Sequence, residues 1–138
     1  MSIYVLDACA LVALLQNEPG ADKVADVINA ADSGDAKIIM NKINLLEVYY
    51  DSYRSRDKEQ ADLMLSEFQK CPVEIYAEIA DDVFNEAGRL KATYRISLAD
   101  SVALAQASVS GGELLTADHH EMDNVEKTEQ GIKFNWIR

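Results

Sequence analysis

Residues 3–11 read IYVLDACAL, a short apolar stretch that is interrupted by a single acid. The first four residues, 3–6, are aliphatic or aromatic, which is typical of a buried β-strand. Asp7 follows them directly and is the only charged residue before Glu18. Because functional groups of parallel sheets collect at the carboxyl ends of the strands, this stretch predicts a strand that leads into a site.

Four other short apolar segments predict the remaining strands, at residues 37–40, 72–76, 113–116 and 132–137. The spacing of apolar residues predicts helices over 20–31, 77–94 and 97–109, and two more within 41–70 with a break near 55–57. Strands that alternate with helices predict an α/β fold, in which helices cover both faces of a mostly parallel central sheet.

The composition indicates one globular domain, residues 1–138, with 49% hydrophobic and 27% charged residues. The 24 acids exceed the 13 bases and give a net charge of −11, which excludes a broad basic surface for nucleic acid. Any polyanionic substrate must therefore be held locally, by metal ions or by a small basic patch.

Cellular location is constrained by what the sequence contains. No apolar stretch approaches the roughly 20 residues of a membrane-spanning helix. Only two cysteines, Cys9 and Cys71, are present, and they are far apart in the sequence. We therefore expect a cytoplasmic protein with no membrane association and no disulfide scaffold.

Two further acids share the isolation of Asp7. Glu47 and Asp100 each lie in an apolar segment that contains no other charge. Burial of a lone carboxylate costs several kcal/mol unless a counter-charge or a metal meets it. Three such acids suggest a shared partner, and Asp118 is a fourth candidate because it follows the predicted strand 113–116.

Helix capping is an alternative explanation for each of these acids taken singly. Asp7 could cap the helix that follows it, and three pairs have the spacing of a capping box: Ser97 with Asp100, Asn44 with Glu47, and Asp118 with Glu121. Capping does not explain why the surrounding segments lack other charges. The two explanations are compatible, because a fixed helix start can direct a carboxylate into a site.

Four converging carboxylates would determine the chemistry of the site. They could not all ionise without cations, and hard oxygen ligands suit Mg²⁺ or Mn²⁺. Such ions can position a water, lower its pKa and neutralise the charge on a phosphodiester. A zinc site at His119 and His120 is less favoured, because adjacent side chains point apart and no third His supports them.

Four segments together resemble the motifs of the PIN domain, and specifically of the single-domain VapC-type ribonuclease toxins. Residues 3–11 resemble the opening strand with its first acid, and residues 44–50 resemble the helix of the second acid. Residues 94–101 and 114–118 match the third and fourth motifs. Each motif is short, but the four occur in the family's order and span nearly the whole chain.

The resemblance implies a three-layer α/β/α sandwich and a Mg²⁺- or Mn²⁺-dependent endoribonuclease that hydrolyses RNA with a metal-activated water. It further implies a homodimer and a toxin–antitoxin pair, in which a small antitoxin protein covers or fills the acidic site. The implied catalytic residues and metal ligands are Asp7, Glu47, Asp100 and Asp118. Supporting or substrate-contacting roles fall to Ser97, Thr116 and Arg95, and Glu121 or Asp123 could share or replace the role of Asp118.

The sequence also allows a second function for the chain and two different roles for Arg95. Ala8 and Cys9 stand where the family often carries Asn, Ser or Thr, so a non-catalytic PIN-like module that binds an antitoxin-like partner is the second hypothesis. For Arg95, phosphate contact and simple pairing with nearby acids both remain open.

Overall fold

The computed structural model describes residues 1–138 as five strands and seven helices that alternate along the chain. The strands are β1 (Ser2–Leu6), β2 (Ala36–Asn41), β3 (Val73–Tyr76), β4 (Glu113–Thr116) and β5 (Lys133–Trp136). The helices are α1 (Ala8–Leu15), α2 (Ala21–Asp32), α3 (Lys42–Ser55), α4 (Lys58–Phe68), α5 (Asp81–Thr93), α6 (Leu98–Ser110) and α7 (His119–Thr128). None of these helices has the length and apolar content that crossing a membrane requires.

The strands form one sheet in the order β3-β2-β1-β4-β5, and all four neighbouring pairs are parallel. Val5 and Leu6 are adjacent in β1, so their side chains point to opposite faces of the sheet. They belong to two separate hydrophobic cores, one packed by α5, α6 and α7 and the other by α1 to α4. The predicted α/β/α sandwich with a central parallel sheet is therefore confirmed.

The direction in which the strands are added reverses next to β1. The chain proceeds outward from β1 to β2 and β3, and then returns to place β4 and β5 on the other side of β1. In open α/β sheets a crevice forms at such a reversal, beyond the carboxyl ends of the strands. Asp7 follows β1 and Asp118 follows β4, so the topology brings both acids to this crevice.

Two parts of the predicted helix pattern are wrong. The helix predicted over 77–94 begins only at Asp81, because the side chain of Asn41 donates a hydrogen bond to the carbonyl of Glu78 at 3.1 Å and holds the preceding loop against β2. Helix α7 had no predicted range, because it is charged and buries only Met122 and Val125, and α1 was anticipated only as the helix that Asp7 could cap. The other predicted boundaries differ from the observed ones by only one or two residues.

The C-terminal strand is anchored to the turn before α2. Gly20 has a φ of +96°, and a Cβ atom there would lie 2.6 Å from the carbonyl oxygen of Ile137. Lys23 donates to the carbonyl of Trp136 at 2.8 Å, and Arg138 donates to the carbonyl of Pro19 at 2.7 Å. Close backbone approach at Gly20 is thus needed for β5 to complete the sheet edge.

We predict that Gly20→Ala destabilises the protein more than Gly34→Ala does. Both glycines have positive φ, at +96° and +81°, but a Cβ at Gly34 would meet nothing within 4 Å. We expect a loss of about 1–2 kcal/mol in the free energy of unfolding for the backbone alone. The clash at Gly20 should add roughly 1–3 kcal/mol. Urea denaturation measures both losses, and equal losses would contradict the contact with Ile137.

Candidate metal centre

A cleft of about 360 Å³ lies beyond the carboxyl ends of β1 and β4. Its lining contains six acids and no lysine or arginine; the acids are Glu18, Glu47, Asp51, Asp100, Asp118 and Glu121. Asp7 lies next to this lining, buried beside Ala8 and Cys9. The structure therefore brings together the four acids that the sequence singled out, and neighbouring carboxylates contribute to the raised pKa values of Asp7, Glu47 and Asp100.

Asp7 is the most deeply buried of these acids. It is the N-cap of α1, and its Oδ1 accepts a hydrogen bond from the backbone N–H of Ala10 at 2.8 Å. Its Oδ2 is buried and has no hydrogen-bond partner. Burial raises the pKa of Asp7 to about 7, and the carboxylates of Asp118 and Glu47 add to the rise, whereas the nearby hydroxyl of Thr116 and the Ala10 N–H oppose it.

Asp100 occupies the first turn of α6. Ser97 is the N-cap of this helix, and its hydroxyl accepts a hydrogen bond from the backbone N–H of Asp100 at 3.0 Å. Burial raises the pKa of Asp100 to about 7, and repulsion from Asp7, Asp118 and Glu47 contributes further. Capping by Ser97 and burial at the cleft therefore occur together.

Glu47 reaches the cleft from the second turn of α3. The N-cap of α3 is Asn41, whose side chain accepts a hydrogen bond from the N–H of Ile43 at 3.0 Å. The capping box suggested for Asn44 and Glu47 is therefore wrong, because both residues lie inside the helix. Burial raises the pKa of Glu47, and the carboxylates of Asp118 and Glu121 raise it further.

Asp118 is fixed between β4 and α7. Its backbone N–H donates to the hydroxyl of Thr116 at 3.1 Å, and its Oδ1 accepts from the N–H of Glu121 at 3.2 Å. Of the two acids considered as substitutes for Asp118, Glu121 lines the cleft. Asp123 instead lies 2.7 Å from Nδ1 of His119 and is not part of the lining.

The remaining predicted residues differ in their positions. Arg95 is exposed in the connection between α5 and α6, forms no ion pair and does not line the cleft. His119 stacks on Trp136 with 3.8 Å between ring centroids, and its Nε2 lies 2.9 Å from the carbonyl oxygen of Arg138. The His119 ring is thus part of the packing between α7 and the C-terminal strand.

Asn44 is a residue of the site that the sequence analysis interpreted only as a possible cap. It is fully buried, and its Nδ2 donates to the carbonyl of Ala99 at 3.0 Å, while its Oδ1 has no partner. This bond ties α3 to the first turn of α6 and so fixes Glu47 relative to Asp100. The sequence feature that could have indicated this role is a polar amide among apolar neighbours in residues 43–48. Buried amides usually form hydrogen bonds, so such a residue predicts a tertiary contact.

Cys9, which the sequence analysis noted in the motif of the first acid, also lies at the cleft. Its half-buried side chain contributes to the lining directly after Asp7. Burial raises the pKa of the Cys9 thiol to about 11, and the carboxylate of Asp7 adds to this effect. The thiol is therefore neutral at physiological pH and adds no negative charge to the site.

The donor set of the cleft fits a hard divalent cation. No three His, Cys, Asp or Glu side chains are already spaced to hold one ion. However, the buried Oδ2 of Asp7 lacks a partner, and burial together with repulsion from neighbouring carboxylates raises the pKa values of three of the acids. Carboxylate oxygens are the ligands that Mg²⁺ and Mn²⁺ prefer, so a cation would supply the missing charge with suitable ligands.

The sequence matches a family model described as PIN domain over residues 4–127. No curated protein sequence matches the chain. The family match thus includes most of β1, all of β2 to β4, nearly all of α7 and all the acids described above.

Solved structures share the fold. VapBC2 from Rickettsia felis, bound to a DNA fragment from its promoter, is 18% identical, with coverage of 97% of this chain and 98% of that chain and a TM-score of 0.72. A toxin-antitoxin complex from Klebsiella pneumoniae is 19% identical, with 94% of each chain covered and a TM-score of 0.63. VapC20 from Mycobacterium tuberculosis, described as a Sarcin-Ricin loop cleaving toxin, is 15% identical, with coverage of 89% and 95% and a TM-score of 0.65.

We predict that the metal-free protein loses stability as the pH rises from 5 to 8. The folded protein holds protons on Asp7 and Asp100 more tightly than the unfolded chain, because both pKa values are raised to about 7. This contribution to stability is therefore complete below the ordinary Asp pKa, declines as the pH rises above it, and is lost once the pH reaches the folded-state pKa of about 7. The expected loss in the free energy of unfolding is about 1.4 kcal/mol per pH unit for each of the two groups, measured by urea denaturation with a chelator present.

Two matched N-cap variants isolate the contribution of Asp7 to this pH dependence of stability. Asp7→Asn should reduce this pH dependence, because the amide keeps an oxygen for the Ala10 N–H and cannot ionise. Asp57→Asn should leave it unchanged, since Asp57 caps α4 in the same way through the N–H of Gln60 but is exposed. An unchanged pH dependence in Asp7→Asn would mean that Asp7 does not titrate as described.

Proposed function

This chain belongs to the PIN domain family, and from that premise we propose that it is a metal-dependent endoribonuclease, the toxin of a toxin–antitoxin pair. The observation that carries this proposal is the convergence of Asp7, Glu47, Asp100 and Asp118 at one cleft whose lining contains no lysine or arginine. Such a site binds cations, and a cation is what an acidic protein needs to hold a polyanion.

We assign Asp7, Glu47, Asp100 and Asp118 as the ligands of Mg²⁺ or Mn²⁺. When bound, the ion would supply the Lewis acidity that activates a water and offsets charge on the phosphodiester. Three of these carboxylates are directed by helix starts: Asp7 and Asp118 are N-caps, and Asp100 follows the N-cap Ser97. The carboxylates of Asp7 and Asp118 accept hydrogen bonds from the backbone, which restricts their rotamers and favours a preorganised ligand set.

Supporting roles are assigned to residues that hold these ligands or reach the substrate. Ser97 fixes the first turn of α6, and Thr116 accepts the N–H of Asp118 beside the buried Asp7. Arg95 carries an unpaired exposed cation two residues before Ser97, so we propose that it contacts an RNA phosphate. RNA is the proposed substrate class.

The proposed partner is a small antitoxin protein. A second groove, of about 250 Å³, runs between α1, α3 and α4 and includes the exposed side chains of Leu15 and Leu63. It shares Val12, Val48 and Asp51 with the acidic cleft, so the two are continuous. An amphipathic antitoxin segment could lie in this groove and extend a cationic side chain into the acidic cleft.

We predict that Mn²⁺ binds the wild type with saturation and binds Asp100→Asn at least about tenfold more weakly, because one charged ligand is lost. Isothermal titration calorimetry at a single pH and salt concentration measures this difference. The control is Asp22→Asn, which removes an exposed acid from the first turn of α2 and should bind like the wild type. Equally weak, unsaturable uptake by all three proteins would contradict the metal site.

We predict that RNA cleavage falls by about 10²-fold or more in Asp7→Asn and in Asp100→Asn, because each removes charge stabilisation of several kcal/mol. Cleavage of total RNA with Mn²⁺ or Mg²⁺ measures the loss, with Asp22→Asn again as the control. Induced expression should likewise arrest bacterial growth for the wild type and not for Asp100→Asn. Full activity in both acid variants would contradict the catalytic assignment and favour a PIN-like module that only binds a partner.

A further inference from the structure

Helix α3 carries large exposed apolar side chains along one side. Leu46, Tyr50 and Tyr53 are spaced four and three residues apart, so they follow one another on the same side of the helix. Their exposed fractions are 55%, 48% and 47%. Single exposed apolar residues are common, but three in a row on one helix are typical of an interaction surface.

Tyr50 is the one of these three residues that reaches the acidic cleft. Its side chain lines the cleft together with Glu47 and Asp51. Leu46 and Tyr53 are not part of the lining. Glu47 precedes Tyr50 by three residues, so the two are neighbours on the helix surface with about 5–6 Å between their Cβ atoms. A half-exposed aromatic ring therefore stands beside a carboxylate that we assign to the metal.

The surroundings of Tyr50 differ from those of a tyrosine that serves packing. The preceding residue, Tyr49, is half-buried, and its hydroxyl donates a hydrogen bond to Asp62 at 2.8 Å. Tyr50 instead has the guanidinium of Arg54 5.8 Å from its ring centroid. Arg54 also donates a hydrogen bond to Asp51 at 2.8 Å, which holds its cation at the cleft side of α3. An exposed aromatic face and an exposed cation thus lie side by side at the cleft.

We propose that Tyr50 binds an unpaired RNA base by stacking, next to the phosphodiester that is cleaved, and that Arg54 contacts a neighbouring phosphate. This inference rests on the proposed nuclease function and adds to it the contact that orients the substrate. Proteins that bind single-stranded nucleic acid combine aromatic rings, on which bases stack, with cations that follow the backbone. A paired base is stacked between its neighbours in a duplex, so the contact selects an unpaired one.

The charge of the cleft favours a contact with a base. The lining contains six acids and no lysine or arginine, so it repels every phosphate that a metal ion does not meet. A nucleobase is neutral, and its stacking on a ring escapes this repulsion. The groove that we assign to the antitoxin does not include Tyr50, so that partner does not account for the exposed ring.

Fluorescence anisotropy of a labelled, short single-stranded RNA of mixed sequence tests the stacking contact. Ca²⁺, which also prefers carboxylate oxygens, replaces Mn²⁺, and a denaturing gel verifies that the RNA stays intact. We expect Tyr50→Ala to raise the dissociation constant at least about tenfold. Tyr50→Phe keeps the ring and should bind at least about fivefold more tightly than Tyr50→Ala. The same RNA annealed into a duplex should bind the wild type more weakly.

Tyr53→Ala is the matched control for this measurement. Tyr53 lies on the same side of α3 as Tyr50 and has nearly the same exposed fraction, but it does not line the cleft. Tyr53→Ala should therefore bind the single-stranded RNA like the wild type. An equal loss of affinity in Tyr53→Ala and Tyr50→Ala would overturn the specific role of Tyr50.

A fluorescent base analogue supplies a readout that a merely structural role of Tyr50 would not change. The emission of 2-aminopurine falls when this base stacks on an aromatic ring. Placed at each position of the RNA in turn, it should identify a position where emission is lower in the complex with the wild type than in the complex with Tyr50→Ala, both at saturation. Equal emission at every position would overturn the stacking contact.

The salt dependence of binding tests the phosphate contact of Arg54. Arg54→Gln should reduce the slope of log affinity against log salt concentration by roughly 0.7, the contribution of one phosphate on a single strand. Arg56→Gln is the control, because Arg56 is also exposed but lines the antitoxin groove and not the cleft. An unchanged slope in Arg54→Gln would overturn this contact.

Failure of the stacking contact and failure of the proposed nuclease give different results. A wild type that cleaves RNA, with Tyr50→Ala binding RNA equally well, overturns the stacking contact alone. A wild type that binds Mn²⁺ but neither binds nor cleaves RNA overturns both. Tyr50→Ala should bind Mn²⁺ like the wild type in calorimetry, since Tyr50 is not a proposed ligand. A loss of Mn²⁺ binding in this variant would instead make the ring a support of the metal site and overturn its role in binding RNA.

Discussion

The absence of a counter-charge around the carboxylate of Asp7 is the constraint on which the rest of the site depends. One oxygen of this group is held by the start of α1, and the other is buried without a partner. The surrounding residues bury Asp7 almost completely, and the nearby acids add repulsion. A fold that maximised stability alone would replace such a group with an apolar one, so its cost indicates a functional role.

The residues that cap the helices also place the acids of the cluster next to one another. The carboxylates of Asp7 and Asp118 satisfy the first turns of α1 and α7, and Ser97 does the same for α6 ahead of Asp100. Because the parallel sheet places these helix starts at the same edge, the groups that begin the helices also face one another. The backbone thereby limits the movement of charges that repel each other, which side chains on flexible loops could not do.

Much of this arrangement was predictable, because a buried charged residue stands out in the sequence as a single acid within an apolar segment. Asp7, Glu47 and Asp100 stand alone in apolar segments, and the alternation of strands and helices indicates that strand ends share an edge. Asn44 was not predictable in its role, since its bond to Ala99 spans 55 residues. The sequence also could not show whether Glu121 or Asp123 lies at the cleft beside Asp118, because this depends on where His119 packs.

The stacking of His119 on Trp136 gives the chain an optical reporter. Trp136 is the only tryptophan, and its indole lies face to face with the ring of the residue that follows Asp118. Fluorescence from an indole depends on contact with its neighbours, so movement of the first turn of α7 would change the emission intensity. Events at the acidic cleft could therefore be followed in the unlabelled protein, without attaching a dye.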